Sequence, residues 1–95
     1  MFSVVQTDKN VMQLVGRFDA SQVAAAKEAL SSITTSGTLD LRELEYISSA
    51  GLGVLLMIQK RLGGSGEKLK LVNVNQHIRD ILRYAGFDKI FQIED

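Results

Sequence analysis

Residues 54–62 are apolar around most of a helical circumference, with Leu52, Leu55, Leu56 and Leu62 on one stripe and Val54, Met57 and Ile58 beside it. A helix of that kind must be covered on more than one side. Here it lies between two strand-like stretches, residues 37–44 and 67–74. Leu39, Leu41 and Leu44 mark the first of these, and Leu69, Leu71, Val72 and Val74 the second, whose density suits a strand covered on both faces. The simplest arrangement is a right-handed crossover between parallel strands, which sets the start of the helix at the carboxyl edge of the preceding strand, where ligands and partners usually approach. Gly63-Gly64-Ser65-Gly66 ends the helix, with glycine expected in the left-handed C-cap conformation; as a phosphate loop this run has little support.

The rest of the chain extends the alternation. Residues 2–6 and 11–18 are short apolar-rich stretches separated by Thr7-Asp8-Lys9-Asn10, which is turn chemistry, so they predict a hairpin. Asp19-Ala20-Ser21 then offers capping groups before an alanine-rich segment with Val23, Ala26 and Leu30 on one face, a helix over residues 21–31 that breaks at residues 32–37. Asn75 is a plausible N-cap for a third helix, in which Ile78, Ile81, Leu82 and Ala85 follow the i, i+3, i+4, i+7 spacing up to Gly86, and residues 87–93 read as a last strand. The predicted order is β-β-α-β-α-β-α-β, an α/β fold with a single layer of helices packed on a mixed sheet. At 95 residues and 45% apolar content, one domain with one core is expected over residues 1–95.

Composition narrows the function. Eleven lysines and arginines against eleven aspartates and glutamates give no net field for a nucleic acid or an anionic membrane, so direct nucleic-acid binding is not expected. The chain has no cysteine and one histidine, which argues against disulfides and against a zinc centre; no metal or cofactor is expected. The longest apolar run, residues 54–58, is too short to span a bilayer, and no signal-like segment opens the sequence, so the chain reads as cytoplasmic. Hydrolase chemistry is set aside as well: His77 lies on a different helix from the serines, and no nucleophile-elbow sequence surrounds Ser49, so no catalytic residues are assigned.

What remains is the junction Tyr46-Ile47-Ser48-Ser49-Ala50-Gly51-Leu52-Gly53, which carries two hydroxyls into the start of the apolar helix. A serine at a helix start is first of all a cap, since its oxygen satisfies an orphan amide. The same position also tolerates an anion, because free N–H groups and the helix dipole point outward. Asp19 can cap the first helix or contact a partner. Asp40 can orient the serine loop or face solvent, Tyr46 can pack or sit at a contact edge, and His77 reads as an exposed polar residue.

Thr38-Leu39-Asp40-Leu41 followed by Tyr46-Ile47-Ser48-Ser49-Ala50-Gly51-Leu52-Gly53-Val54-Leu55-Leu56 resembles the central signature of STAS domains, specifically the bacterial anti-sigma factor antagonists. Gly16-Arg17-Phe18-Asp19-Ala20 is similar to the family's segment before its first helix, and residues 78–91 to its third helix and last strand. The resemblance implies a protein–protein switch. The unmodified antagonist binds an anti-sigma factor, a serine kinase of the histidine-kinase ATPase type, and phosphorylation of one serine ends that binding; a phosphatase is a further partner of such a cycle. Counted back from Gly51, the family's phosphoacceptor falls on Ser49, with Ser48 the fallback, and the implied partner surface comprises Asp19, Ser48, Ser49, Ala50, Gly51, Leu52 and Gly53. Gly51 and Gly53 would admit a close approach, and Leu52 is either core or contact. Family members often have aspartate where this chain has Ser48, which removes one acidic group from the implied surface. They also commonly carry an extra C-terminal helix, expected to be short or absent here. The alternative is a STAS regulatory or scaffold module of another assembly, stressosome-like or lipid-transport, acting without a sigma factor.

Overall fold

The computed structural model describes residues 2–31, 33, 37–64 and 66–94. The chain opens with the predicted hairpin, β1 (Phe2–Asp8) against β2 (Val11–Phe18), antiparallel, with Phe2 opposite Gly16 and Asp8 opposite Val11. Asn10 makes the reversal with a positive φ of 60°, a conformation asparagine tolerates better than most residues. A 3₁₀ turn (Ala20–Gln22) leads into α1 (Val23–Ala29), followed by β3 (Thr38–Asp40), β4 (Leu44–Ile47), α2 (Ser49–Gly63), β5 (Lys70–Val72), α3 (Gln76–Tyr84) and β6 (Gln92–Ile93). The sheet runs β1-β2-β3-β5-β6, with β4 also paired to β2; every pairing after the hairpin is parallel.

Burial alternates along the central strand. Met12, Leu14, Gly16 and Phe18 of β2 are buried, and Val11, Gln13, Val15 and Arg17 between them are half-buried or exposed. The buried side meets Leu39 of β3, Leu71 of β5 and the apolar faces of the helices, through Ala26 of α1, Leu55, Ile58 and Leu62 of α2 and Ile78 and Leu82 of α3. One face of the sheet therefore holds the core, as the period-2 pattern of a half-covered sheet requires. No helix follows β6 among the described residues.

The sequence reading and the structure part at several boundaries. The stretch expected as one strand over residues 37–44 is two strands with a turn between them. Asp40 Oδ1 accepts the Arg42 amide at 2.9 Å, the Leu44 amide reaches Leu41 O at 3.1 Å, and Leu41 turns its own amide to Val72 O of β5 at 3.0 Å. An aspartate side chain that binds the amide two residues on makes an Asx turn, so Asp40 shapes the turn that leads into β4. The observed order is consequently β-β-α-β-β-α-β-α-β, and Tyr46 and Ile47 lie in β4 instead of in a junction. Helix α2 begins at Ser49, five residues ahead of the apolar run at residues 54–62, with Ser48 as the serine cap expected at this junction. It ends at Gly63 with Gly64 still right-handed; the left-handed glycine is Gly66, and Ser65 lies outside the described residues. The first helix is shorter than residues 21–31, its opening turn being 3₁₀, and most of the break placed at residues 32–37 falls on residues outside those described. The strands expected over residues 67–74 and 87–93 contract to Lys70–Val72 and Gln92–Ile93, with Phe87 and Phe91 packed edge to face at 6.2 Å between centroids ahead of β6.

Asn75 joins helix to sheet. Its Oδ1 accepts the Ile78 amide at 2.9 Å, capping α3 as the sequence predicts, and its Nδ2 donates to Leu44 O of β4 at 3.0 Å. Asn75→Ala removes a cap and leaves the Leu44 carbonyl without that donor, so a loss of about 1–2 kcal/mol is expected. Urea unfolding checks it: the midpoint should fall at unchanged m-value.

Candidate partner site at the start of the second helix

The parallel strands β2 and β4 end side by side, with Phe18 opposite Ile47. One residue later the two chains are tied once more, as the Ser48 amide donates to Phe18 O at 2.9 Å. From that bond Asp19 leads into the 3₁₀ turn and Ser48 into α2, and the turn packs against α2. The carboxyl edge predicted for the helix start is thus formed by two adjacent exits from the sheet.

The two serines are not equivalent. Ser48 is the N-cap, half-buried and extended, with φ −84° and ψ 170°; its Oγ accepts the Gly51 amide at 3.1 Å and its carbonyl the Leu52 amide at 2.8 Å. Ser49 is the first helical residue, exposed, and its hydroxyl makes no hydrogen bond among the described residues. Since Ser48 takes up the amides of Gly51 and Leu52, those of Ser49 and Ala50 are the ones left facing outward at the positive end of the helix. No acidic side chain occupies the first turn.

The remaining predicted residues separate by burial. Ala50 and Gly53 are exposed, and Gly53, four residues after Ser49, shares its face of the helix. Leu52 is only 6% exposed and belongs to the core, which decides between the two roles open to it. Gly51 is buried too. A Cβ there would lie 2.9 Å from Ile47 Cγ1 and 3.2 Å from both the Phe18 ring and the Phe18 carbonyl oxygen. Its small size serves the approach of α2 to its own sheet, whereas a Cβ at Gly53 meets nothing within 4 Å. The outward surface is therefore Ser49, Ala50 and Gly53, with Asp19 beside it.

Asp19 takes the capping role. Its Oδ1 accepts the Ser21 amide at 3.0 Å and the Ser21 hydroxyl at 2.6 Å, while Gln22 Oε1 accepts the Asp19 amide at 2.8 Å, a reciprocal box. The Ser21 hydroxyl, then the Ser21 amide, then the charge of Arg17 hold its carboxyl below the usual carboxylate range, against a small opposing effect of burial. It is an anion at neutral pH, oriented and part-exposed. Arg17, which the sequence reading did not single out, lies over the Tyr46 ring at 4.6 Å on the opposite face of the sheet from the core. Only the register of β2 on β4 brings that pair together, and no sequence signal carries it. His77 is exposed in the first turn of α3.

No group of three or more histidine, aspartate or glutamate residues suited to a metal occurs among the described residues, and no helix among them is long and apolar enough to cross a membrane.

This arrangement of strands and helices has relatives. A family model described as "Mlab, STAS domain" matches residues 2–93, and the chain belongs to that STAS family. A STAS-domain containing protein of Pseudomonas aeruginosa is 29% identical over 85 residues, covering 86% of this chain and 84% of the relative. BtrV of Bordetella bronchiseptica, described as a candidate anti-sigma factor antagonist, is 42% identical over 55 residues; the match takes in 58% of this chain and 47% of BtrV, about half its length. Among solved structures, a protein of Thermotoga maritima described as a candidate anti-sigma factor antagonist superposes with a TM-score of 0.78 at 24% identity, covering 99% of this chain and 86% of that one. The anti-sigma factor antagonist SpoIIAA in its unphosphorylated form gives 0.71 at 16% identity, over 100% of this chain and 88% of that one. A second structure holds Bacillus SpoIIAA in the phosphorylated form, with a TM-score of 0.68 at 16% identity over 98% of this chain and 90% of that one. At such identities the structural likeness speaks for the fold.

The two glycines give a test of the packing. Gly51→Ala is expected to destabilise by about 1–3 kcal/mol, since the backbone oxygen of Phe18 cannot give way as a side chain can. Gly53→Ala should stabilise by up to about 1 kcal/mol, glycine being the poorer residue inside an exposed helical turn. Denaturant unfolding of the two single variants reads both signs.

Proposed function

We propose that this chain is an anti-sigma factor antagonist which binds an anti-sigma factor serine kinase of the histidine-kinase ATPase type while Ser49 is unmodified and is released when Ser49 is phosphorylated, so regulating sigma-factor-dependent transcription. The observation that carries this reading is the division between the serines: Ser48 caps α2, and Ser49 offers an exposed, unengaged hydroxyl one residue later. The relatives named as antagonists, and the existence of SpoIIAA in both phosphorylation states, support the same reading. In it the domain has a regulatory role in the cytoplasm and no catalytic residues of its own, and a phosphatase resets the switch.

The physical mechanism follows from placement. A phosphate on Ser49 adds about −1.5 to −2 charges at a helix end that tolerates anions, so the fold survives. The same group puts bulk and charge into the middle of the surface formed by Asp19, Ser49, Ala50 and Gly53, where the carboxylate of Asp19 is already negative. A partner that packed against the bare first turn loses that contact. Phosphorylation of Ser48 would instead take the oxygen that caps the Gly51 amide, coupling modification to helix stability.

A second reading, a STAS module in a stressosome-like or lipid-transport assembly without a sigma factor, is favoured by one observation, that the matching family model is described by the name Mlab. Incubation with an anti-sigma factor kinase of the histidine-kinase ATPase type and ATP, followed by phosphosite mapping, separates the two. The switch reading expects one phosphate on Ser49, retained binding by Ser49→Ala, and at least about tenfold weaker binding by Ser49→Asp, equivalent to roughly 1.4 kcal/mol. Equal affinity of unmodified and stoichiometrically phosphorylated protein for the kinase overturns it.

A further inference from the structure

The end of the sheet opposite Ser49 is built differently. Four strands start there in one row across the face that the helices leave uncovered: Val11 of β2 stands opposite Thr38 of β3, Thr38 opposite Lys70 of β5, and Lys70 opposite Gln92 of β6. This row lines a cleft of about 410 Å³, together with Lys9 and Asn10 from the β1–β2 turn and Lys68 just ahead of β5. Backbone bonds fix the walls: the Thr38 amide donates to Asn10 O at 2.9 Å, the Lys70 amide to Gly37 O at 3.1 Å, and the Gln92 amide to Leu69 O at 3.0 Å. The strand starts in the cleft are therefore held by the sheet, with the β1–β2 turn and Lys68 beside them.

Three lysines, Lys9, Lys68 and Lys70, line one cleft in a chain with no net charge. Lys70 is paired with Glu94 at 3.2 Å, a carboxylate that also accepts from Gln92 Nε2 at 3.3 Å. Lys9 and Lys68 make no ion pair among the described residues. Asp8, the acid nearest in sequence to Lys9, has its Oδ1 on the Lys9 backbone amide at 2.7 Å, and no carboxylate lines the cleft. Lys9 and Lys68, with no carboxylate among the lining residues, raise the local potential over the cleft and attract a multivalent anion. The chemistry of the lining narrows the ligand. It offers amide groups of Asn10 and Gln92 and the Thr38 hydroxyl beside the lysines, and only Val11 as a sizeable apolar side chain. With no aromatic side chain there is nothing for a nucleobase to stack on, and the shallow supply of apolar surface disfavours an acyl chain.

We propose that this amino-edge cleft is a second binding site, separate from the Ser49 surface, for a compact multiply charged phosphate anion of the pyrophosphate or tripolyphosphate kind. Lys9 and Lys68 meet the anion from the rim, Lys70 and Thr38 from the floor, and Glu94 competes with the anion for Lys70.

Titration of the wild-type chain with pyrophosphate, followed by backbone amide shifts, tests the site. Saturable one-to-one binding is expected, with the largest shifts at Asn10, Thr38 and Lys70. Lys9→Gln and Lys68→Gln should each weaken it by about threefold to fivefold, the effect of losing one partly solvated charge contact. Glu94→Gln should tighten it, since it removes a like charge and frees Lys70; this gain is hard to obtain from a damaged fold, and unchanged shifts elsewhere confirm that each variant is folded. Ser49→Ala should leave the affinity unchanged. Three results overturn the proposal: equal responses to pyrophosphate and to sulfate at matched ionic strength, which means an adventitious ion only; shifts centred on Ser49 and Ala50, which mean that the helix start is the anion site; or lysine and glutamate variants with wild-type affinity.

Discussion

The first turn of α2 is pressed against the ends of β2 and β4 so closely that one added methyl at Gly51 would meet Ile47 at 2.9 Å and the Phe18 carbonyl at 3.2 Å. Much else depends on that contact. It brings the Ser48 amide onto Phe18 O, and this bond in turn sets Ser48 in the extended conformation from which its side chain caps the helix. Because Gly51 lets the backbone approach, Leu52, Leu55 and Ile58 reach the core, each fully buried aliphatic side chain being worth roughly 1.5–3 kcal/mol. The helix start is consequently a rigid platform, and a residue on its outer side keeps its position whatever is attached to it.

Large parts of this were legible in the sequence, and the failures have a common cause. Asn75 as a cap, the hairpin at residues 7–10 and the burial of α2 on several sides follow from local chemistry and from period 3.6, and the structure agrees. The α/β order was correct except for one additional strand. Leu39, Leu41 and Leu44 look like one strand because they are apolar, but Asp40 turns the chain between them through a bond to the Arg42 amide. A single aspartate flanked by leucines gives little warning of that. The apolar run 54–62 marks only the body of α2, which begins at Ser49 although Gly51 and Gly53 lower helix propensity; propensity yields to packing when burial repays it. At the site, the resemblance points to Ser49 as the phosphoacceptor but counts Gly51 and Leu52 with the partner surface beside Ser49, Ala50 and Gly53. Only coordinates show that Gly51 and Leu52 face inward while Ser49, Ala50 and Gly53 face out.

The two ends of the sheet answer to different physics. At the carboxyl edge the exposed groups are small, a serine hydroxyl, an alanine methyl and a glycine, beside one oriented carboxylate; such a surface favours close backbone approach and is sensitive to added volume and negative charge. At the amino edge the lining is long and basic, able to follow a charged group but poorly suited to a tight protein contact, since ordering lysine side chains is costly in conformational entropy. Parallel strands set these edges about as far apart as the strands are long, with the core between them.

Switching by phosphorylation also requires that modification change binding without unfolding the chain, and adjacent serines meet that requirement in a way that one serine would not. If the modified hydroxyl were also the cap, phosphate would compete with the Gly51 amide bond, and part of the interaction energy would go into reorganising the helix end. With Ser48 as the cap, the Ser49 hydroxyl contributes no hydrogen bond to stability, so the free-energy change on modification is free to fall on the intermolecular contact. An aspartate at position 48 could cap as well, since its carboxylate accepts the same amide, but it would add a permanent negative charge one residue from the phosphate. In the proposed switch, serine in that place would keep the contrast larger: the first turn has no acidic side chain, and a phosphate on Ser49 would bring about two negative charges at once.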